Sequence, residues 1–243
     1  MGSRFFGGLT AADGATLTNA VIGFLAVILA PVDHELAARL ILIAAVADGV
    51  DGILARRFGG SEVGPYLDSL ADVSSFTLAP AALVYVYVQG LTIPWLPPWL
   101  VAIVTIGVPA MFVALGVLRL GVYSTYDTTE SETVGAPTTL AATLLATALL
   151  TVHATPEIVL GGTFVVAVCM VAPIGYPDLL ARDALIMGGI HVLAVLFPHF
   201  YGRVFPYALL TLALAYLIFA PRFYWGETER AMRGPPSPKG KRS

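Results

Sequence analysis

Four aspartates have the types and spacing to do chemistry together. Asp48 and Asp51 lie three residues apart, and Asp68 and Asp72 four apart, in a chain that is otherwise 57% hydrophobic. Residues three or four apart share a face of a helix. Asp48 and Asp51 therefore project from one helix about 4.5 Å apart along its axis, and Asp68 and Asp72 from the next about 6 Å apart. Between the pairs, Arg57, Gly59, Gly60 and Ser61 read as a tight turn. A helical hairpin would bring the two acidic faces together.

Something must compensate those charges. A carboxylate at a bilayer centre costs about 2.5–3.5 kcal/mol on insertion scales. Two divalent cations carry as much positive charge as four carboxylates carry negative. Oxygen-only ligation, with no Cys or His nearby, suits Mg²⁺ or Mn²⁺ over Zn²⁺. Two metals about 3.5–4 Å apart are a recurring device for displacement at phosphorus. The rival use of buried acids is an ion or proton relay in a transporter. A relay does not need Gly52, Ala55, Arg56 and Gly64 at fixed offsets from the acids.

The pattern Asp48-x-x-Asp51-Gly52-x-x-Ala55-Arg56, then Gly64-x-x-x-Asp68-x-x-x-Asp72, resembles the signature of the CDP-alcohol phosphotransferases. These are integral membrane enzymes that move a phosphatidyl-type group from a CDP-linked lipid to an alcohol. The spacer between Arg56 and Gly64 is a residue shorter than the family's. The resemblance implies that Asp48, Asp51 and Asp68 ligate two cations, with Asp72 contributing to the second ion and acting as base. It implies that Gly52, Ala55 and Gly64 let the cytidine nucleotide approach the backbone, and that Arg56 contacts its phosphates. It also implies a homodimer.

The elements that must position these residues are membrane helices. Only 12% of residues are charged, against about 25% in a soluble domain, and mean hydropathy is +0.82. The predicted fold is an all-α polytopic membrane protein with about eight spans, near 16–31, 35–57, 64–90, 99–122, 136–153, 157–175, 184–199 and 204–221. The shorter segments leave six or seven spans open. Residues 1–15 read as an interfacial segment, 16–221 as the transmembrane transferase domain, and 222–243 as a basic tail on the cytoplasm or along anionic lipid. Nucleic acid is not an expected partner.

Orientation follows from Lys and Arg. With both ends in the cytoplasm, Arg4, Arg56, Arg57, Arg119, Arg182, Arg222 and the five basic residues of 230–242 fall at inner ends. Only Arg39 and Arg203 fall outside, eleven against two of the 13. This puts the acidic hairpin at the cytoplasmic face of the cell membrane, open to CDP-linked substrate.

Leu67-Asp68-Ser69-Leu70-Ala71-Asp72 and the residues up to Pro80 resemble the serine branch of the family, the phosphatidylserine synthases. Leu118-Arg119-Leu120, Gly135 to Ala142, and Met170-Val171 with Tyr176-Pro177 resemble further runs of that branch. Thr77 stands where Gly is expected, Val122 where a second Arg is expected, Ser124 where Asn is expected and Thr139 where Pro is expected. Serine is the preferred acceptor, with glycerol 3-phosphate, inositol or inositol phosphate as alternatives. The lipid is diacyl or archaetidyl. Arg119 either snorkels at a helix end or binds a substrate phosphate or carboxylate. Arg57 reads as an interfacial anchor. His34, His153, His191 and His199 read as interfacial or packing residues. Tyr126 to Glu132 reads as a solvated linker.

Overall fold

The computed structural model describes residues 9–126, 132–177 and 181–224. The chain is an all-α polytopic membrane protein. It is 78% helical, so the bundle, not a sheet, must position the site. The helices are α1 (Ala11–Leu29), α2 (His34–Phe58), α3 (Gly64–Asp72), α4 (Ala79–Tyr87), α5 (Pro98–Tyr126), α6 (Thr138–Leu149), α7 (Pro156–Val171), α8 (Ala181–Leu196) and α9 (Val204–Phe219). A π-helical stretch, Val73–Leu78, joins α3 to α4 in one rod, and another, Ala220–Tyr224, extends α9. Among the described residues, four stretches are long and apolar enough to cross a membrane: Ala11–Leu29, Gly64–Tyr87, Pro98–Val122 and Val204–Arg222. Three more apolar helices are shorter. α2 is long but carries charge at both ends and at Asp48 and Asp51. Arg4, residues 127–131 of the expected linker, and the tail from Trp225 lie outside the described residues.

Local chemistry explains the ends. α1 starts at Ala11, before the apolar run at residue 16, because Thr10 and Asp13 close a capping box. Asp33 caps α2 by accepting from the Leu36 N–H at 2.9 Å. Gly59, at φ +86°, ends α2. Pro65 opens α3, where its missing N–H costs nothing. α5 has 29 residues, about 43 Å, longer than a bilayer core of about 30 Å.

The π stretch has an identifiable cause. Pro80 has no N–H to give the carbonyl of Phe76, and its ring crowds that carbonyl. The coil widens instead, and the Ala79 N–H bonds to the Ser74 carbonyl five residues back. Widening turns Ser75, Phe76 and Thr77, three consecutive residues, all inward with no exposure. Two glycines make room. A Cβ on Gly23 of α1 would fall 2.7 Å from Ser75 Cα, and one on Gly116 of α5 would fall 2.8 Å from Thr77 Cγ2. Thr77, departing from the glycine of the serine branch, is thus accommodated by a glycine on the facing helix.

Among the described residues, two large apolar clusters and a small one hold the bundle. One joins α1, α2, the π stretch, α6, α8 and α9 through Ala26, Ile41, Leu42, Phe76, Leu150 and Leu209. The other large one joins α4 to α7 and α9 around Phe112, Leu144 and Met170. Alanine is frequent in both, so backbones approach closely, the way membrane helices gain packing energy. At the α2 N-terminus, Arg203 donates to Glu35 at 3.0 Å and to the Leu150 carbonyl at 2.6 Å. His199 reaches the same Glu35 at 3.3 Å. Glu35 and Arg56 are separated by about 32 Å of helix, so this clamp and the acidic hairpin sit at opposite ends of the bundle.

A short antiparallel ladder was not expected from the sequence. β1 (Glu132–Val134) pairs with β2 (Gly175–Pro177). It shortens the predicted segments on either side, so α6 starts at 138 and α7 stops at 171. Gly135, at φ +81°, follows β1. A Cβ there would lie 2.1 Å from the Met170 carbonyl, which explains glycine at this place in the branch-like run.

Candidate active site

α2 and α3 form the expected hairpin across the turn at residues 59–63. Asp48, Asp68 and Asp72 each present a carboxylate oxygen within 4.8 Å of the others. Asp48 and Asp68 are half-buried and Asp72 is the most enclosed of the three. At an effective dielectric near 20, two full charges at 4.8 Å repel by about 3.5 kcal/mol. Three such pairs cannot persist ionised without positive charge among them. Arg119 of α5 supplies part of it: it is only 8% exposed, and its charge bears on Asp72. Burial excludes snorkelling for Arg119; the side chain turns into the protein. Its lone charge does not offset three carboxylates. The residues fit divalent cations, because the donors are all hard oxygens. Oδ1 of Asp72 is buried without a hydrogen-bond partner.

Asp51 stands outside this trio. Its Oδ2 accepts from Thr16 Oγ1 at 2.8 Å, and it is 5% exposed. Its charge still bears on Asp48, Asp68 and Asp72. The structure therefore brings three of the four expected ligands together and ties the fourth to α1.

Arg56 folds back over Gly52. A Cβ on Gly52 would lie 3.4 Å from Arg56 Nη1, in ordinary contact with the guanidinium. Arg57 is exposed and lies over the Phe58 ring at 5.5 Å, in keeping with an interfacial anchor. Gly64 faces the start of α1, where a Cβ would lie 3.5 Å from Asp13 Oδ1 and 3.6 Å from Ser61 Oγ. Ser61 Oγ donates to the same Asp13 oxygen at 2.8 Å. The turn is thus latched to α1. Ala55 is half-buried beside Gly60, whose Cβ would stand 3.9 Å from that of Ala55.

The contribution of α1 was missed in the sequence. Asp13, Thr16, Asn19 and Gly23 are buried on one face of it. Their spacings of three, three and four were readable as a polar and small stripe in an apolar span. Their partners, on α2 and the π stretch, were not.

Residues 9–174 match the family model for CDP-alcohol phosphatidyltransferase. The chain belongs to this family. The match runs from α1 to the end of the α7 region and takes in the whole acidic hairpin. The chain is 30% identical over 173 residues to the archaetidylserine synthase of Methanothermobacter thermautotrophicus, covering 68% of each protein. It is 38% identical over 78 residues to a CDP-diacylglycerol–serine O-phosphatidyltransferase of Methanocaldococcus jannaschii, covering 32% of this chain and 36% of that one. It is 30% identical over 153 residues to the protein of the same name from Helicobacter pylori, covering 59% and 61%. The chain thus spans less than two thirds of two of these relatives. A CDP-alcohol phosphatidyltransferase acts on a CDP-linked lipid and an alcohol, and the aspartate trio is a place where its divalent metal could sit.

Proposed function

We propose that this protein transfers a diacyl or archaetidyl phosphatidyl-type group from a CDP-linked lipid to the hydroxyl of serine, releasing CMP. The observation that carries the reading is the convergence of Asp48, Asp68 and Asp72 within the family signature. The names of the relatives and the serine-like runs around Asp68 and Gly135 support serine as the acceptor.

In this reading Asp48, Asp51, Asp68 and Asp72 would hold two Mg²⁺ or Mn²⁺ ions. Bound there, the ions supply charge stabilisation at the phosphoryl and leaving oxygens. Asp72 takes the proton from the serine hydroxyl. The resulting alkoxide attacks the phosphorus on the lipid side of the diphosphate. The bond from that phosphorus to the bridging oxygen breaks, and CMP leaves with the electron pair. Gly52, Ala55 and Gly64 keep the nucleotide path open, and Arg56 binds the diphosphate. Arg119, buried beside Asp72, binds the serine carboxylate or a phosphate.

The test supplies purified protein with a CDP-linked diacyl or archaeol lipid, Mg²⁺ or Mn²⁺, and serine, glycerol 3-phosphate, inositol or inositol phosphate in matched reactions. A serine-headgroup lipid, identified by mass, is the expected main product. A glycerol phosphate or inositol product with serine inert would refute the branch while leaving the family intact.

The eleven-to-two distribution of basic residues supports a site and both termini facing the cytoplasm from the cell membrane. A cysteine reports this best at Glu62, which is exposed, since the Ser61 hydroxyl is tied to Asp13. In a Cys169→Ser background, Glu62→Cys should be labelled only from inside and Pro97→Cys only from outside. The reverse pattern would overturn the orientation.

A further inference from the structure

Asn19 of α1 has no exposed surface, and neither its Nδ2 nor its Oδ1 has a hydrogen-bond partner. A buried amide left unpaired is costly, so it points to a partner acquired when the site is loaded. Its position says which. The Thr16–Asp51 bond pins the antiparallel register of α1 and α2. Three residues on along α1 and three back along α2, Asn19 stands at the level of Asp48.

The π stretch fixes the other side. α1 and the α3–α4 rod run parallel, with Asp13 beside Gly64 and Gly23 beside Ser75. Ser75 Oγ donates to the Asn19 carbonyl at 2.8 Å. A helical carbonyl points to the C-terminus of its helix, whereas the side chain leans to the N-terminus. The Asn19 carboxamide therefore climbs away from Ser75 to the preceding turn of the rod, the level of Asp72. There Oδ1 of Asp72 is a buried acceptor without a donor. An orphaned donor and an orphaned acceptor thus share one layer under the carboxylate trio.

We propose that Asn19 is a positioning residue of this site. When the site is loaded its Nδ2 donates to Oδ1 of Asp72, directly or through one buried water, and so turns the other carboxylate oxygen toward the cation and the acceptor hydroxyl. An amide suits this place because it donates without adding a negative charge to the aspartate cluster. The proposal rests on the reading of the trio as a divalent-cation site.

The test measures Mn²⁺ binding by electron paramagnetic resonance on full-length purified protein, beside turnover and thermal unfolding. Asn19→Ala removes the donor. Asn19→Thr is the volume-matched second variant, whose hydroxyl bonds back to the helix carbonyl of Ala15. Each folded variant should bind Mn²⁺ about 10–100-fold more weakly and lose kcat by a similar factor, the usual effect of removing a group that orients a metal ligand. In an Asp72→Ala background, which removes the acceptor itself, the same substitutions should change Mn²⁺ affinity by less than about twofold, since the shared partner is gone. Mn²⁺ affinity and kcat close to wild type in a folded variant would overturn the proposal, as would failure of both variants to fold. Failure of the wild-type protein to bind Mn²⁺ would overturn the cation reading together with it.

Discussion

Asp48→Asn and Asp68→Asn are each expected to lower lipid transfer by at least about 10²–10³-fold, taking loss of a ligand charge as no milder than loss of one oxyanion donor. Both side chains contribute to the trio within 4.8 Å, and Asn keeps the shape while deleting the charge. The same substitution relieves repulsion of about 3.5 kcal/mol per pair. The metal-free variants should therefore unfold no earlier than the metal-free wild type, and insertion should be unaffected. Activity falling while stability holds separates a ligand role from a folding role. Asp51→Asn keeps an acceptor for Thr16 and removes only charge, and the same loss is expected, since Asp51 is proposed to join the cation site. EDTA should silence the wild-type protein, and Mg²⁺ or Mn²⁺ should restore it. Most activity retained in Asp48→Asn or Asp68→Asn would sink the two-metal reading.

Asp72→Asn is expected to lose about 10²–10⁴-fold in kcat, the range for removing a general base, with the loss of a ligand charge deepening it. Binding of the CDP-linked lipid should survive, because Asp48, Asp51 and Asp68 remain and the proposed nucleotide path along Gly52, Ala55 and Arg56 is untouched. Binding and turnover are read separately, by lipid-analogue titration in the presence of Mn²⁺ and by single-turnover formation of the serine lipid. Near-normal turnover would remove Asp72 as the base. Loss of lipid binding along with turnover would make it a ligand first. Its neighbours bear on the outcome: Arg119 lies within reach of its charge, so Asp72→Asn leaves a buried cation with less to offset it.

The aspartate hairpin was legible because it is local. A spacing of three on one helix, a glycine turn and a spacing of four on the next helix put two acidic faces on consecutive helices, within reach of one another. Helix content was legible for a similar reason, since a chain in lipid must satisfy its backbone within each segment. The early start of α1 was also in the sequence, in the Thr10–Asp13 box, but was masked by the late onset of the apolar run. Gly135 was readable as part of a branch-like run. Its requirement, a carbonyl from Met170 where a Cβ would go, was not.

What only the tertiary structure decided are contacts between residues far apart in the chain. The Thr16–Asp51 bond joins positions 35 apart, and the Ser75–Asn19 bond positions 56 apart. They separate Asp51 from the other three acids and bring α1 under the site. No local periodicity carries that information, because it depends on which helices pack and in what register. The π stretch lies between the two cases. Pro80 disfavours an ordinary α-turn from the sequence alone, but a widened coil persists only because Gly23 and Gly116 leave space on the facing helices. The sequence by itself determined the four acids, their helical faces and the membrane setting, through spacing and composition. Packing between distant helices decided which three acids meet, and it buries Asn19 of α1 and Arg119 of α5 within the protein.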